Sequence, residues 1–285
     1  MNLLAPSVVK TAASSAILLA VASQCARNMI QTLDVRRRAA AVILPPTMGD
    51  DASCAAATMT NPLAASLSGS GSSDETTTTA DRLRTMKRKD LLEVFANSRA
   101  PTLSELNEWF SCKGSENDEY CEWDAELLDN NSFIMNTSSS FMTHSLFGGI
   151  ALPWRLVGKS SKAKGRWNGK AFGNAGTGIN RFLGKDVGGN PSSFLRHRFD
   201  YDIVQSKVLP KGDGGNDKSS SLALRLDYSR YQSLPLSLWA SMRDELRVVE
   251  ASMDEDDILL IGMGWMGWSG GPLNCSPFML KRRRE

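Results

Sequence analysis

The side chains able to act on another molecule are few in this chain, and most are cations. Lys170, Arg181, Arg196 and Arg198 lie in strand-like segments, and His197 stands between two of those arginines. A cation on a strand faces solvent by default. Turned inward, one or two of them would orient the polar group of a ligand in an otherwise apolar pocket. Lys170 and Arg196 are the first candidates for that role. His144, within Met142-Thr143-His144-Ser145, and His197 sit in unrelated contexts, and no Gly-x-Ser-x-Gly elbow accompanies them. No catalytic residue is assigned from the sequence.

Neither a cofactor nor a metal is expected. The cysteines Cys25, Cys54, Cys112, Cys121 and Cys275 are scattered, with no Cys-x-x-Cys pair, and there are 2 histidines. Cys112 and Cys121 either bridge across the acidic stretch between them or stay free. Gly262-Met263-Gly264-Trp265-Met266-Gly267 spells Gly-x-Gly-x-x-Gly behind an apolar run. A dinucleotide fingerprint needs a helix next, to receive the pyrophosphate, and here Trp268-Ser269-Gly270-Gly271-Pro272 follows. Met263, Trp265, Met266 and Trp268 instead offer soft apolar surface for a cavity wall or a partner, and Trp265 is expected to touch ligand. A net charge of +2 is too small to point to nucleic acid.

The elements that would position these groups are strands. In residues 122–128, Trp123, Ala125 and Leu127 alternate with Glu122, Asp124 and Glu126, so one face is dry and the other wet. Further strand patterns cover 166–172, 178–183, 194–209, 221–228, 245–249, 258–265 and 274–282, each bounded by Gly, Pro, Asp or Asn. Leu222, Leu224 and Leu226 share a face. Arg243, Glu245 and Arg247 share another and suggest a cross-strand ion network, while Asp244 either caps the turn or faces the barrel end. About eight antiparallel strands in succession make a mainly β fold, either a sandwich or an up-and-down barrel of the size that holds one small ligand.

Trp167, between Gly165 and Gly169, has two readings. The glycines let a strand or side chain pack closely on the indole, or Trp167 lines the cavity mouth.

Residues 1–46 read as a targeting segment. They carry one acidic residue, Asp34, against Lys10, Arg27, Arg36, Arg37 and Arg38, on an Ala/Ser/Thr/Leu/Val background. The uninterrupted apolar run is too short to span a bilayer. The expected destination is an organelle, a plastid ahead of a mitochondrion, with secretion as the alternative. Residues 47–80 read as a disordered Ser/Gly/Thr linker. Residues 81–110 read as short helix, with Leu83, Met86, Leu91, Leu92, Val94 and Phe95 at helical spacing. The basic run 82–89 is either that helix's solvated face or a peripheral membrane contact. Residues 111–285 form the β domain.

Trp123 in an opening strand, Gly165-x-Trp167-x-Gly169-Lys170-x-Phe172, Asp227-Tyr228, Met242-Arg243-Asp244-Glu245-Leu246-Arg247, Ile261-Gly262 and the ending Pro277-Phe278-Met279-Leu280-Lys281-Arg282 resemble lipocalin-like proteins of the GXWXG type. That resemblance spans roughly 106–284 and implies a calycin-like antiparallel barrel of about eight strands, in a family mostly of unassigned function. It also implies that Trp123 stacks under Arg282 or Arg283 and closes the barrel floor.

Three functions follow as expectations. The first is non-catalytic binding or carriage of an apolar or amphipathic small molecule, such as a lipid, pigment or isoprenoid, in an organelle, with Trp167, Lys170, Arg196 and Trp265 as ligand contacts. The second is a lipid isomerase or cyclase on the same barrel, using Lys170, Arg196 or His197. The third is an interaction or assembly protein whose barrel is filled with side chains. A lumen holding a paired acid and cation favours chemistry; an all-apolar one favours carriage. Oligomeric state is left open.

Overall fold

The computed structural model describes residues 6–43, 78–111, 120–128, 167–173, 176–182, 198–210, 221–231, 241–251, 258–267 and 270–282. Eight strands lie among them: β1 (Tyr120–Leu127), β2 (Trp167–Gly173), β3 (Thr177–Phe182), β4 (Arg198–Gln205), β5 (Leu222–Asp227), β6 (Met242–Glu250), β7 (Leu259–Met266) and β8 (Ser276–Arg282). Each pairs antiparallel with the next, and β8 returns to β1, so the sheet closes on itself. Of the two expected architectures, this is the barrel. Closure leaves none of these eight strands an open edge for another chain to pair with.

Side-chain parity divides each strand between lumen and exterior. Trp123, Phe172, Phe199, Leu224, Leu226, Leu246, Leu260, Phe278 and Leu280 form one buried cluster inside the barrel. The exterior of β7 and β8, with Ile261, Met263, Trp265 and Met279, belongs to a second cluster. β7 is therefore buried on both faces, which is why its sequence reads as an apolar run without alternation.

Helices supply the second cover. α2 (Thr79–Thr85) and α3 (Arg88–Asn97) bury Leu83, Leu91, Leu92, Val94 and Phe95 against the exterior of β7 and β8. The apolar face of the expected amphipathic segment is thus spent on the protein's own core. α4 (Leu103–Trp109) begins with a reciprocal cap between Thr102 and Glu105. It sends Leu106, Trp109 and the following Phe110 into the lumen cluster. Phe110 stacks on Phe172 with centroids 4.0 Å apart and meets Trp123 and Tyr201 edge-on, so this short helix plugs the barrel at the end where β1 begins.

The segment expected to be an address is helical, α1 (Pro6–Ile43). Its second half packs on the domain, with Asn28, Thr32 and Val35 buried. Asn28 Nδ2 donates to Asn274 Oδ1 at 2.8 Å, Thr32 Oγ1 to the Leu273 carbonyl at 2.8 Å, and Arg36 Nε to the Val208 carbonyl at 2.6 Å. Arg88, in the basic run read as solvated or membrane-facing, is instead buried under α1. It donates to the carbonyls of Cys275 (3.0 Å) and Asn28 (2.9 Å) and to Thr32 Oγ1 (2.8 Å). Among the described residues no helix is long and apolar enough to cross a membrane. Residues 44–77, most of the expected linker, lie outside the described residues.

The expected ion network on β6 is present: Arg225 with Glu245 at 2.8 Å and Arg243 with Asp227 at 3.1 Å. It differs from a solvated face in that Glu245 and Arg247 are buried. The 206–210 turn covers Glu245, whose carboxylate accepts from Ser206 Oγ at 2.6 Å and from the Lys207 N–H at 2.9 Å. Arg247 reaches the end of α3, donating to the Phe95 and Ala96 carbonyls where the helix dipole favours a cation. Cys121 is disulfide-bonded, and Cys25 and Cys275 are free; Cys112 lies outside the described residues.

Candidate functional site

Opposite the α4 plug, at the end where β1 finishes, four polar side chains meet inside the barrel. Lys170 comes from β2, Asn180 from β3, Asp244 from β6, and Tyr228 directly follows β5. Parity explains each. Lys170 shares a face with Phe172, Tyr228 continues the inward row of Leu224 and Leu226, and Asp244 continues that of Leu246. All four are buried, Lys170 at 1% exposure and Asp244 at 2%.

The ammonium of Lys170 has three donors, and three acceptors surround it: Tyr228 Oη at 2.6 Å, Asn180 Oδ1 at 2.8 Å and Asp244 Oδ2 at 2.8 Å. Tyr228 Oη donates to the same Asp244 oxygen at 2.7 Å. Four rings enclose the nitrogen: Trp167, Phe199, Tyr228 and Phe278, with centroids between 5.2 Å and 5.5 Å away. Such a box stabilises a cation through the ring quadrupoles.

Burial lowers the Lys170 pKa from the ordinary lysine value, and the charge and hydrogen bond of Asp244 oppose that shift. The Tyr228 hydroxyl is pushed well above its ordinary value, first by burial and then by the Asp244 charge, so it stays a neutral donor.

Two bare positions on β7 make room for this arrangement. Gly264 pairs with Asp244, and a Cβ there would stand 2.7 Å from Asp244 Oδ1. Gly262 pairs with Leu246, and a Cβ there would stand 2.2 Å from the Phe278 ring. The Gly-x-Gly of the false dinucleotide motif is thus what lets an acid and an aromatic ring occupy the lumen beside β7.

Trp167 is half-buried at this mouth, one ring away from Lys170, and its Nε1 donates to Asn180 Oδ1 at 3.2 Å. Ala125, Leu127 and Met242 are the other half-buried apolar residues at this end. Gly169, the second glycine of the Gly-x-Trp-x-Gly motif, serves another contact. A Cβ there would stand 2.0 Å from the Trp123 carbonyl oxygen and 3.1 Å from Arg181. The bare position lets Arg181 lie across the outer face to Glu122 (2.6 Å) and Asp124 (3.1 Å).

Of the expected ligand contacts, Lys170 and Trp167 come together at this site. Trp265 does not: it lies on the exterior of β7, in the buried cluster that α2 and α3 help to form, because its parity matches Ile261 and Met263 and not Leu260. Arg196, like His144, His197 and Arg283, lies outside the described residues, and Arg198 is exposed. Trp123 and Arg282 are direct cross-strand partners. Among the described residues Trp123 meets Phe110 and Phe172 edge-on, and Lys170 is held against rings in the lumen. Trp123 Nε1 and Arg282 Nη1 are buried without a hydrogen-bond partner.

From the sequence, Tyr228 stands out only within the Asp227-Tyr228 pair, with no role of its own, and Asn180 does not stand out at all. The row Leu222, Leu224, Leu226 continued by one step would have placed Tyr228 indoors. Asn180 carries no comparable signal, because its strand lacks a clear apolar row. Among the described residues no group of three His, Cys, Asp or Glu side chains is arranged to hold a metal. Compared with known protein families, with curated proteins and with solved structures, the chain matches none.

Proposed function

We propose that this barrel binds an apolar or amphipathic small molecule, a lipid, pigment or isoprenoid, entering past Trp167 and placing its polar group against Lys170, Asn180, Tyr228 and Asp244. The observation that carries this reading is a fully buried acid and cation inside an aromatic lumen. Well-packed apolar residues in place of such a pair are often as stable or more so, so fold stability alone is a poor reason for its presence. A lumen with a few convergent polar groups is the ordinary design of a small-molecule site, and ionisable groups perturbed by burial cluster at such sites. Carriage of a purely apolar ligand needs only apolar walls, and an amphipathic one needs a polar group or two to orient it, not a buried acid–cation pair. The Lys170–Asp244 pair therefore moves the reading from inert carriage towards chemistry on the ligand's polar group. The resemblance to GXWXG-type lipocalin-like barrels supports a ligand in the lumen, and the composition of residues 1–46 supports an organelle, a plastid first.

A second reading, an interaction or assembly protein with a filled barrel, has its own observation. The Phe278 ring occupies the space over Gly262, and Phe110 closes the opposite end.

Native mass spectrometry separates the two. The full chain purified from its own cells is compared with the same sample after denaturation and solvent extraction. A stoichiometric apolar mass lost on extraction supports the ligand reading. A clean apo mass, with no uptake of added fatty acid, retinoid or tetrapyrrole, overturns it in favour of the filled barrel.

A further inference from the structure

The polar group that fits beside Lys170 is constrained by charge. Asp244 already neutralises the ammonium at 2.8 Å. A ligand carboxylate or phosphate would add a second buried anion against one cation, and an amine would add a second cation. Either leaves net charge in a low-dielectric lumen, which is costly. A neutral oxygen group leaves the balance unchanged. Among neutral oxygen groups, an aldehyde or ketone carbonyl is the one that condenses with a lysine amine.

We propose that Lys170 forms an imine with a carbonyl group of the ligand, which makes the ligand an apolar aldehyde or ketone. This rests on the lumen-binding reading above. The surroundings supply each part of the step. Asp244 Oδ2, 2.8 Å from Nζ, takes one ammonium proton and leaves the amine lone pair free. The lone pair attacks the carbonyl carbon, a C–N bond forms, and the carbonyl π electrons move to oxygen, which is protonated to a carbinolamine. Asp244 and Tyr228, hydrogen-bonded at 2.7 Å, relay protons to that hydroxyl, which leaves as water. One carbonyl and one ammonium thus give one protonated imine and one water, with no oxidant or reductant. The remaining N–H points at the Asp244 carboxylate, its counter-ion, and the four rings stabilise the cation as they do the ammonium. Burial also disfavours the charged amine, the condition under which lysines serve as imine-forming nucleophiles.

The experiment is reductive trapping. The full chain is incubated at neutral pH with dodecanal, and separately with retinal, in the presence of cyanoborohydride, then digested and mapped by mass spectrometry. The expected result is one secondary-amine adduct per chain at Lys170, complete before surface lysines are labelled and absent in K170M. Labelling spread over surface lysines with no preference for Lys170 overturns the proposal. The wild-type map decides this even if K170M fails to fold. Dodecanol uptake, followed by native mass spectrometry without reductant, separates the two levels. Alcohol retained with no adduct at Lys170 overturns the imine alone; neither alcohol nor aldehyde retained overturns the lumen-binding reading as well.

Discussion

Lys170 and Asp244 face each other across the full width of the barrel: their strands, β2 and β6, stand on opposite sides of the eight-strand ring, and Nζ lies 2.8 Å from Oδ2. This spoke joins two walls that share no backbone hydrogen bond. Removing one partner leaves the other buried and unpaired, at a cost of about 3–5 kcal/mol. D244N is therefore expected to lower the free energy of unfolding by about that much in urea titration. The double variant K170M/D244L, which removes both charges, should lose far less or gain stability. Equal losses in the two variants would mean that the pair itself holds the barrel together.

Gly169 and Gly262 both lack room for a Cβ, but the neighbours differ. Against Gly169 stands the Trp123 backbone oxygen, which cannot turn away; against Gly262 stands the Phe278 ring, which can. Overpacking costs about 1–3 kcal/mol. G169A is expected at or above the upper end and G262A at the lower, with F278L relieving G262A and not G169A. Thermal unfolding of the three single and two double variants measures this.

Glu105 caps α4 and pairs with Arg99, contacts that hold its pKa down to about 2. A carboxyl lowered on folding adds stability in full above its unfolded value of about 4.3. That stability fades as pH falls from there through about 2. The partner Arg99 is half exposed, so the solvent-screened contribution is about 1 kcal/mol. E105Q should be less stable than wild type by about that amount at pH 7, and the two should converge at the acid end. A constant difference across the range would assign the effect to packing of the plug.

The second half of α1 supplies acceptors to buried Arg88. Removing residues 1–24 keeps every one of these bonds; removing 1–43 strips them and exposes the surface under Val35. Arg88 then turns to water, and what is lost is the burial of Val35 and the buried hydrogen bonds of Asn28, Thr32 and Arg88, a cost of about 2–4 kcal/mol that in a domain of this size is a drop in Tm of about 4–16 °C. The shorter truncation should melt with the full chain. If the longer one does too, α1 contributes nothing to the fold.

All eight strands were legible in the sequence because each runs between turn-forming residues and most keep one apolar row. Leu222, Leu224 and Leu226 set β5, and Trp123, Ala125 and Leu127 set β1. Boundaries are where the two differ: in the described part of 194–209 the strand ends at Gln205, before the 206–210 turn, and 245–249 extends to Met242–Glu250, because Arg243 and Asp244 continue the pairing with β5 and β7. Face assignment failed where a helix covered the exterior. Trp265, with its neighbours Met263 and Met266, reads in sequence as soft apolar surface for a cavity wall or a partner, and nothing local separates a lumen from an exterior that the protein's own helices keep equally dry. Arg88 and Glu245 looked solvated for the mirror reason: nothing local says that α1 folds over one and the 206–210 turn over the other. From the sequence Lys170 is a first candidate for an inward cation against a solvated default, but its partners come from β3, β6 and the end of β5. Only the closed ring brings these together.

The ring is shut by a single seam, β8 against β1, where Trp123 meets Arg282 and Leu127 meets Phe278. Until β8 is in place, β1 and β7 are bare edges that template pairing with other chains. A protein shortened before Ser276 would thus lose more than one strand's worth of contacts. It would become a sticky ribbon, recruiting its copies during synthesis, when partly folded species are most prone to aggregate.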